Sequence, residues 1–312
     1  MALSALVFPG QGSQSVGMLA DVAREFSEIE ATFAEASSVL QFDLWKLTQE
    51  GPGEELDKTV NTQPALLAAS YAIWRILQNN KVDLPTLLAG HSLGEYTALV
   101  CAQSLDFADA IKLVAARGQY MQDAVPSGEG ALAAIVGLDD EAVNAVCAKA
   151  AEGDVLAPAN YNSPGQIVIA GKTAAVQRAI ILAKEAGAKL AKQLAVSVPS
   201  HCILMQPAAE RLAELLKTIK IQTPRIPVIN NVDAVLYDDA ESICNGLTRQ
   251  LYMPVRWVDI IDHFKNSHVT RIIECGPGKF LSGLNKRIAT DIEMANTADL
   301  AKKKKIIFSE PV

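Results

Sequence analysis

Short apolar runs alternate with stretches of helical spacing along the first hundred residues. Residues 4–8 form an apolar run closed by Pro9-Gly10, and helical spacing begins at about Met18. A second run at 84–89 is followed by a turn and an apolar helical stretch at 93–101. Apolar runs of this length between turn signals read as buried strands, and their alternation with helices predicts an α/β domain with a mainly parallel sheet, of the α/β-hydrolase kind. From Pro126 the order becomes strand 131–138, helix 140–151, strand 155–160, strand 166–170, helix 173–186 and strand 190–196. That β-α-β-β-α-β order is the ferredoxin-like split motif. It is read as a small subdomain at 126–197, inserted between the two halves, 1–125 and 198–312, of the large domain. After it the pattern predicts a long helix at 201–219 and strands at 227–231 and 270–275, the last running into Gly276-Pro277-Gly278.

A chain of 312 residues, half of them hydrophobic and a fifth charged, is long enough to bury a sizeable core, which excludes disordered and fibrous classes. The net charge of −7 argues against general affinity for nucleic acid or anionic membrane, so an anionic partner must meet a local basic patch. The longest apolar stretch, 65–77, is interrupted by Arg75 and falls short of the roughly 20 residues a membrane span needs. The amino terminus lacks the basic region of a signal peptide. Five scattered cysteines without CxxC or Cys/His spacing read as reduced thiols, with no metal site, in a cytoplasmic protein. The block Lys302 to Lys305 reads as a solvated tail.

Gly90-His91-Ser92-Leu93-Gly94 matches the GxSxG nucleophile elbow and stands where that motif belongs, between a strand and a helix. The two glycines leave room for a sharp turn that lifts Ser92 out at the carboxyl end of the strand. The bland alternative is an ordinary turn that holds a serine; the strand-turn-helix placement favours the nucleophile. A base is then required, and only His91, His201, His263 and His268 are available. His91 adjoins Ser92 on a tight elbow and points elsewhere, while His263 and His268 lie among polar residues. His201 follows Val198-Pro199-Ser200 at the start of a predicted helix, whose positive end keeps an imidazole neutral.

The loop Phe8-Pro9-Gly10-Gln11-Gly12 fails the dinucleotide fingerprint because position 15 is Ser15 and not glycine. Gly171-Lys172-Thr173 likewise fails the phosphate-loop spacing. The role left for the first loop is to supply an oxyanion donor, the Gln11 N–H, beside that of Leu93. Arg117 falls on the flank of the apolar stripe of a helix predicted at 106–121. It needs an anionic partner there, either an internal carboxylate or that of a substrate.

The ordered set Phe8-Pro-Gly-Gln-Gly-Ser-Gln14, Thr62-Gln63-Pro64-Ala65, Gly90-His-Ser-Leu-Gly-Glu95, Arg117, Asn160-Tyr-Asn-Ser-Pro-Gly165, Val196-Ser-Val-Pro-Ser-His201 and Glu274-Cys-Gly-Pro-Gly278 closely resembles the malonyl-CoA:acyl carrier protein transacylases of bacterial fatty acid synthesis. The resemblance implies ping-pong malonyl transfer through Ser92, with His201 as base and Gln11 and Leu93 as oxyanion donors. It also implies that backbone groups near Gln250 orient the histidine, Arg117 pairs with the malonyl carboxylate, and Gln63 and Asn160 line the pocket. Malonyl-CoA and acyl carrier protein are the implied partners, with no cofactor, and a monomer is expected. Lys286 and Arg287, after the Gly276-Pro-Gly278 turn, are the expected docking cations for the acidic carrier. Two rivals remain at this stage: a serine esterase or thioesterase that uses the same elbow, and a non-catalytic carrier-binding module. A hydrolase usually places an acid between serine and histidine; Asp139, Asp140, Glu141, Glu152 and Asp154 lie in that interval.

Overall fold

The structure, a computed structural model, describes residues 3–196, 198–298 and 300. Nine strands form two sheets, β1 Ser4–Phe8, β2 Leu87–Gly90, β3 Gly130–Val136, β4 Leu156–Ser163, β5 Gln166–Lys172, β6 Leu190–Gln193, β7 Val228–Ile229, β8 Arg271–Glu274 and β9 Glu293–Asn296, counted among the described residues. The order β7-β2-β1-β8-β9 builds a five-stranded sheet whose pairings are all parallel. The order β4-β5-β3-β6 builds a four-stranded antiparallel one.

The parallel sheet is buried on both faces, as its continuous apolar strands require. Along β1 and β2 successive side chains point to opposite sides. Leu6, Phe8 and Leu88 join a core formed largely with the Thr59–Asn79, Leu93–Cys101 and Phe107–Ala124 helices. Ala5, Val7, Leu87 and Ala89 join a second core with the Trp257–Asn266 and Phe280–Ile288 helices. The antiparallel sheet has the strand order of the ferredoxin-like motif. The Asp140–Ala151 and Thr173–Glu185 helices pack with it around a core of their own.

β4 ties the antiparallel sheet to the segment just ahead of the Trp257–Asn266 helix. Its Tyr161 N–H donates to the Val255 carbonyl at 2.9 Å, and the Val255 N–H returns a bond to the Ala159 carbonyl at 2.9 Å. Leu132, Ala159, Val168 and Ala170 close over Cys202, next to His201.

The expected helix at 201–219 divides. A 3-10 turn at Ile203–Met205 precedes the Gln206–Leu216 helix, which has Pro207 in its first turn. Proline suits that position because the N–H it lacks would have no intrahelical partner. His201 therefore lies ahead of the helix in a turn, with φ of 62°. The expected tail block at Lys302 to Lys305 lies outside the described residues. Among the described residues no helix is long and apolar enough to cross a membrane.

Candidate active site

The site gathers at the carboxyl ends of the parallel strands, where open α/β sheets place their ligands. Phe8 ends β1 beside Gly90, which ends β2. The chain then turns through Ser92, whose φ of 51° and ψ of −108° lie in a region that side chains rarely adopt. Gly90 and Gly94 make the turn possible. A Cβ at Gly90 would lie 1.9 Å from the Gly94 carbonyl carbon, and one at Gly94 2.0 Å from the Phe8 oxygen. Asn231, just past β7, clamps the elbow from behind. Its Oδ1 accepts from the Ser92 N–H at 2.7 Å and its Nδ2 donates to the Gly90 carbonyl at 2.6 Å.

Ser92 Oγ lies 2.8 Å from His201 Nε2. The other ring nitrogen, Nδ1, lies 2.7 Å from the Gln250 carbonyl oxygen. A carbonyl only accepts, so Nδ1 carries the proton and Nε2 presents its lone pair to the serine. Burial, and then the nearby Arg117 charge, push the His201 pKa down to about 3. These causes keep the imidazole neutral, and they replace the helix end expected from the sequence.

No acid completes a triad among the described residues. Asp139 caps the Asp140–Ala151 helix, and Asp154 and Glu152 pair with Arg178 at 2.9 and 3.3 Å. The orienting group is instead the main chain at the end of the Ala240–Gln250 helix. The Leu251 carbonyl accepts from the His201 N–H at 2.9 Å and fixes the turn that presents the ring.

Arg117, on the Phe107–Ala124 helix, is only 2% exposed. One terminal nitrogen donates to Gln63 Oε1 at 2.8 Å, and the other to Gln250 Oε1 at 2.9 Å and to Ser92 Oγ at 3.3 Å. Among the described residues it makes no ion pair with a carboxylate. Of the two partners left open by the sequence, the internal ion pair is thus absent from the described residues.

Glu95 is the charged residue that sequence reasoning passed over. It is fully buried on the Leu93–Cys101 helix and takes hydrogen bonds from Gln250 Nε2 at 2.7 Å, the Asn231 N–H at 3.1 Å and the Tyr237 hydroxyl. Burial raises its pKa to about 7 against these bonds and the Arg117 charge.

The remaining expected residues divide. Gln11 lies in the loop after β1, and Leu93 opens the elbow helix; neither backbone N–H is engaged by another backbone group among the described residues. Gln63 is buried, and its Oε1 accepts from Arg117. Asn160 lies on β4 bridged to Val255, without a hydrogen bond to Ser92, His201 or Arg117 among the described residues. Asn162, two residues on, is the one that reaches the elbow, its Oδ1 2.8 Å from His91 Nε2. That bond turns His91 away from the serine. His268 is exposed, whereas His263 is half-buried with Nδ1 3.2 Å from the Ala234 carbonyl oxygen. Lys286 and Arg287 are exposed, and Arg287 donates to Gln166 Oε1 across to the antiparallel sheet. A cleft of about 490 Å³ beside the start of β4 is lined by Val155, Pro158, His201, Tyr252 and Met253. Among the described residues there is no His/Cys/Asp/Glu group that suits a metal ion.

Comparison with known proteins agrees over nearly the whole chain. The acyl transferase domain family matches residues 5–300. The malonyl CoA-acyl carrier protein transacylase of Haemophilus influenzae is 56% identical, with 95% of this chain and 96% of that protein covered. That of Escherichia coli K12 is 55% identical, with 92% and 93% covered. The solved acyl carrier protein S-malonyltransferase of Vibrio cholerae superposes with a TM-score of 0.94 at 56% identity, covering 97% of this chain and 99% of that one. A malonyl-transacylase solved in complex with its type II polyketide acyl-carrier protein gives 0.97 at 52% identity, covering 99% and 100%. The chain belongs to the acyl transferase domain family, among its malonyl CoA-acyl carrier protein transacylases.

Proposed function

We propose that the protein moves the malonyl group of malonyl-CoA to the phosphopantetheine thiol of acyl carrier protein through an acyl-serine on Ser92. The observation that carries this reading is the meeting of three groups at one hydroxyl: Ser92 Oγ lies 2.8 Å from His201 Nε2 and 3.3 Å from an Arg117 nitrogen. His201 takes the serine proton as Oγ attacks the thioester carbonyl. The Gln11 and Leu93 N–H groups hold the tetrahedral oxyanion, which collapses with loss of coenzyme A thiolate; that sulfur takes the proton from His201. The carrier thiol enters by the cleft at His201, gives its proton to the same nitrogen, attacks the acyl-serine and returns Ser92 to its hydroxyl form.

Arg117 sorts substrates in this reading. An acyl group that ends in a carboxylate meets a buried guanidinium, whereas an acetyl group leaves that charge unanswered. The same ion pair fills the space a hydrolytic water needs, which favours transfer over hydrolysis. Gln63 holds Arg117 in place, and Asn160 belongs to the pocket wall on the antiparallel-sheet side. The division into a large domain at 1–125 and 198–312 and an inserted one at 126–197 is part of this reading, with the thiol substrates bound between them. Lys286 and Arg287 form the docking face for the acidic carrier. No cofactor or metal takes part, and the protein works as a cytoplasmic monomer. Five free cysteines, four of them buried, support the reducing compartment.

Intact mass of the wild type and of Ser92→Ala after brief exposure to malonyl-CoA tests the proposal. A malonyl adduct on the wild type alone is expected; no adduct on either overturns the enzyme reading in favour of a carrier-binding module.

A further inference from the structure

Gln250 serves the site twice, and its side chain can do so in only one orientation. Its backbone carbonyl holds His201 Nδ1, while its side-chain Oε1 accepts from Arg117 at 2.9 Å. A primary amide has two faces, oxygen and NH₂, that occupy nearly the same space. Turned over, this one would aim its NH₂ at the guanidinium, donor against donor. What prevents the flip lies on the other side of the amide. Nε2 donates to Glu95 Oε2 at 2.7 Å and to the Ser92 carbonyl at 3.0 Å. Two acceptors there select the NH₂ face, and the stronger of them is Glu95.

Glu95 is itself held from three directions. Oε1 takes the Tyr237 hydroxyl, and Oε2 takes the Asn231 N–H as well as Gln250. Asn231 in turn binds the Ser92 N–H and the Gly90 carbonyl. One buried side chain therefore joins the clamp behind the nucleophile to the amide that aims the arginine. The Leu93–Cys101 segment carries no other charge, so burial of a carboxylate in it needs a reason beyond packing.

We propose that Glu95 is a positioning residue for acyl-carboxylate recognition: by accepting from Gln250 Nε2 it turns the Gln250 oxygen toward Arg117 and so fixes the guanidinium over Ser92. This inference rests on the malonyl-transfer reading above. It makes the hydrogen-bond geometry of Glu95, and not its charge, the quantity that matters, and two small substitutions separate these. In Glu95→Gln the new amide places its oxygen where Oε2 stands and its NH₂ toward the Tyr237 oxygen; the acceptor for Gln250 and Asn231 survives and the charge is gone. Glu95→Asp keeps the charge and withdraws the carboxylate by one C–C bond, about 1.5 Å, out of reach of Gln250.

The test is the single-turnover rate of acyl-serine formation with malonyl-CoA and with acetyl-CoA, measured on full-length wild type and both variants, with thermal unfolding as the check on folding. Glu95→Gln is expected to hold the malonyl-to-acetyl ratio within about threefold of the wild type. Glu95→Asp is expected to lower that ratio by about tenfold or more, the loss typical of a hydrogen bond to a charged group. A merely structural role would lower both rates together and leave the ratio alone. A fallen ratio in Glu95→Gln, or an unchanged one in folded Glu95→Asp, overturns the proposal; Glu95→Gln decides alone if the other variant does not fold. Failure of the wild type to form malonyl-serine would instead count against the transfer reading.

Discussion

The Arg117 guanidinium lies 3.3 Å from the Ser92 hydroxyl, whose oxygen is also 2.8 Å from His201 Nε2. In the proposed reading an acyl group on Ser92 extends from its ester bond toward the arginine, which then meets a terminal carboxylate two carbons away. Replacement by alanine removes that fork and leaves the Gln63 and Gln250 oxygens without their donor. Arg117→Ala is expected to slow malonyl acylation by about 30- to 1000-fold, for loss of about 2–4 kcal/mol of charge-assisted hydrogen bonding. Acetyl acylation and hydrolysis should gain relative to it. Rapid-quench kinetics with both thioesters check this, and an unchanged ratio would remove Arg117 from substrate choice.

The low pKa of His201 makes a prediction about pH. With the ring held neutral down to about 3, acyl-serine formation should show no loss attributable to imidazole protonation between pH 8 and 5. A stopped-flow profile that falls away with a midpoint near 6.5 would show that the buried ring protonates as readily as a free one.

Stability carries two opposed signatures. His201 and His91 titrate near 3 and 4 in the folded chain, so below their ordinary 6.5 the unfolded chain binds more protons, and their contribution is lost as pH falls. Glu95 titrates near 7 against an ordinary 4.5. Its folded form binds the extra proton, so its contribution is complete below 4.5 and is lost as pH rises through 7. Denaturant unfolding from pH 4.5 to 8 should therefore show wild type losing stability relative to Glu95→Gln as pH rises, with the reverse trend contradicting the assignment.

Backbone contact at the elbow leaves no space for a methyl group. Gly94→Ala pushes a carbon to 2.0 Å from the Phe8 carbonyl oxygen, in the strand that also carries the Gln11 loop. A loss of about 3 kcal/mol or more is expected, at or beyond the upper end of ordinary overpacking, together with loss of acylation. Urea unfolding of the variant measures the first, and labelling of Ser92 the second.

Much of this arrangement is legible in the chain because local signals and global packing agree. The apolar run ending in Pro9-Gly10 is β1, and the helix after the elbow runs from Leu93 to Cys101 as its spacing predicts. The ferredoxin-like order is legible from turns and periodicity, since its helices bury one face, Val143, Val146, Cys147 and Ala150 in the first and Ala175, Val176, Ala179 and Ala183 in the second, while β3 and β5 are nearly continuous buried runs. The 201–219 segment is less legible. Its Leu204, Met205 and Gln206 suit a helix by propensity, but the bond from the His201 N–H to the Leu251 carbonyl holds a left-handed turn ahead of them, and that partner is fifty residues away. The neutral histidine was expected for the wrong physical reason, the helix end, while burial beside Arg117 supplies it. Gln250 was reached only by resemblance, because a backbone carbonyl has no residue type to betray it. Glu95 did leave a trace, one charge in an otherwise uncharged helical run, and its meaning appears only once Asn231, Tyr237 and Gln250 converge on it.

Docking of the carrier is tested by charge reversal. Lys286 and Arg287 stand exposed on the last turn of the Phe280–Ile288 helix, within reach of an acidic partner. The double variant Lys286→Glu, Arg287→Glu should raise the apparent KM for carrier protein about tenfold at low salt, with a smaller effect at high salt. The first half-reaction with malonyl-CoA should be affected far less. Equal losses in both half-reactions would place these residues outside the docking face.

The most direct test of the whole account is the fate of the acyl group. Malonyl-enzyme freed of coenzyme A is mixed with phosphopantetheinylated carrier protein, and both proteins are weighed by mass spectrometry over time. The account predicts that the malonyl mass leaves the enzyme and appears on the carrier, with the rate set by carrier concentration. Loss of the adduct to water at the same rate with or without carrier, leaving the carrier bare, would contradict it and make the protein a hydrolase.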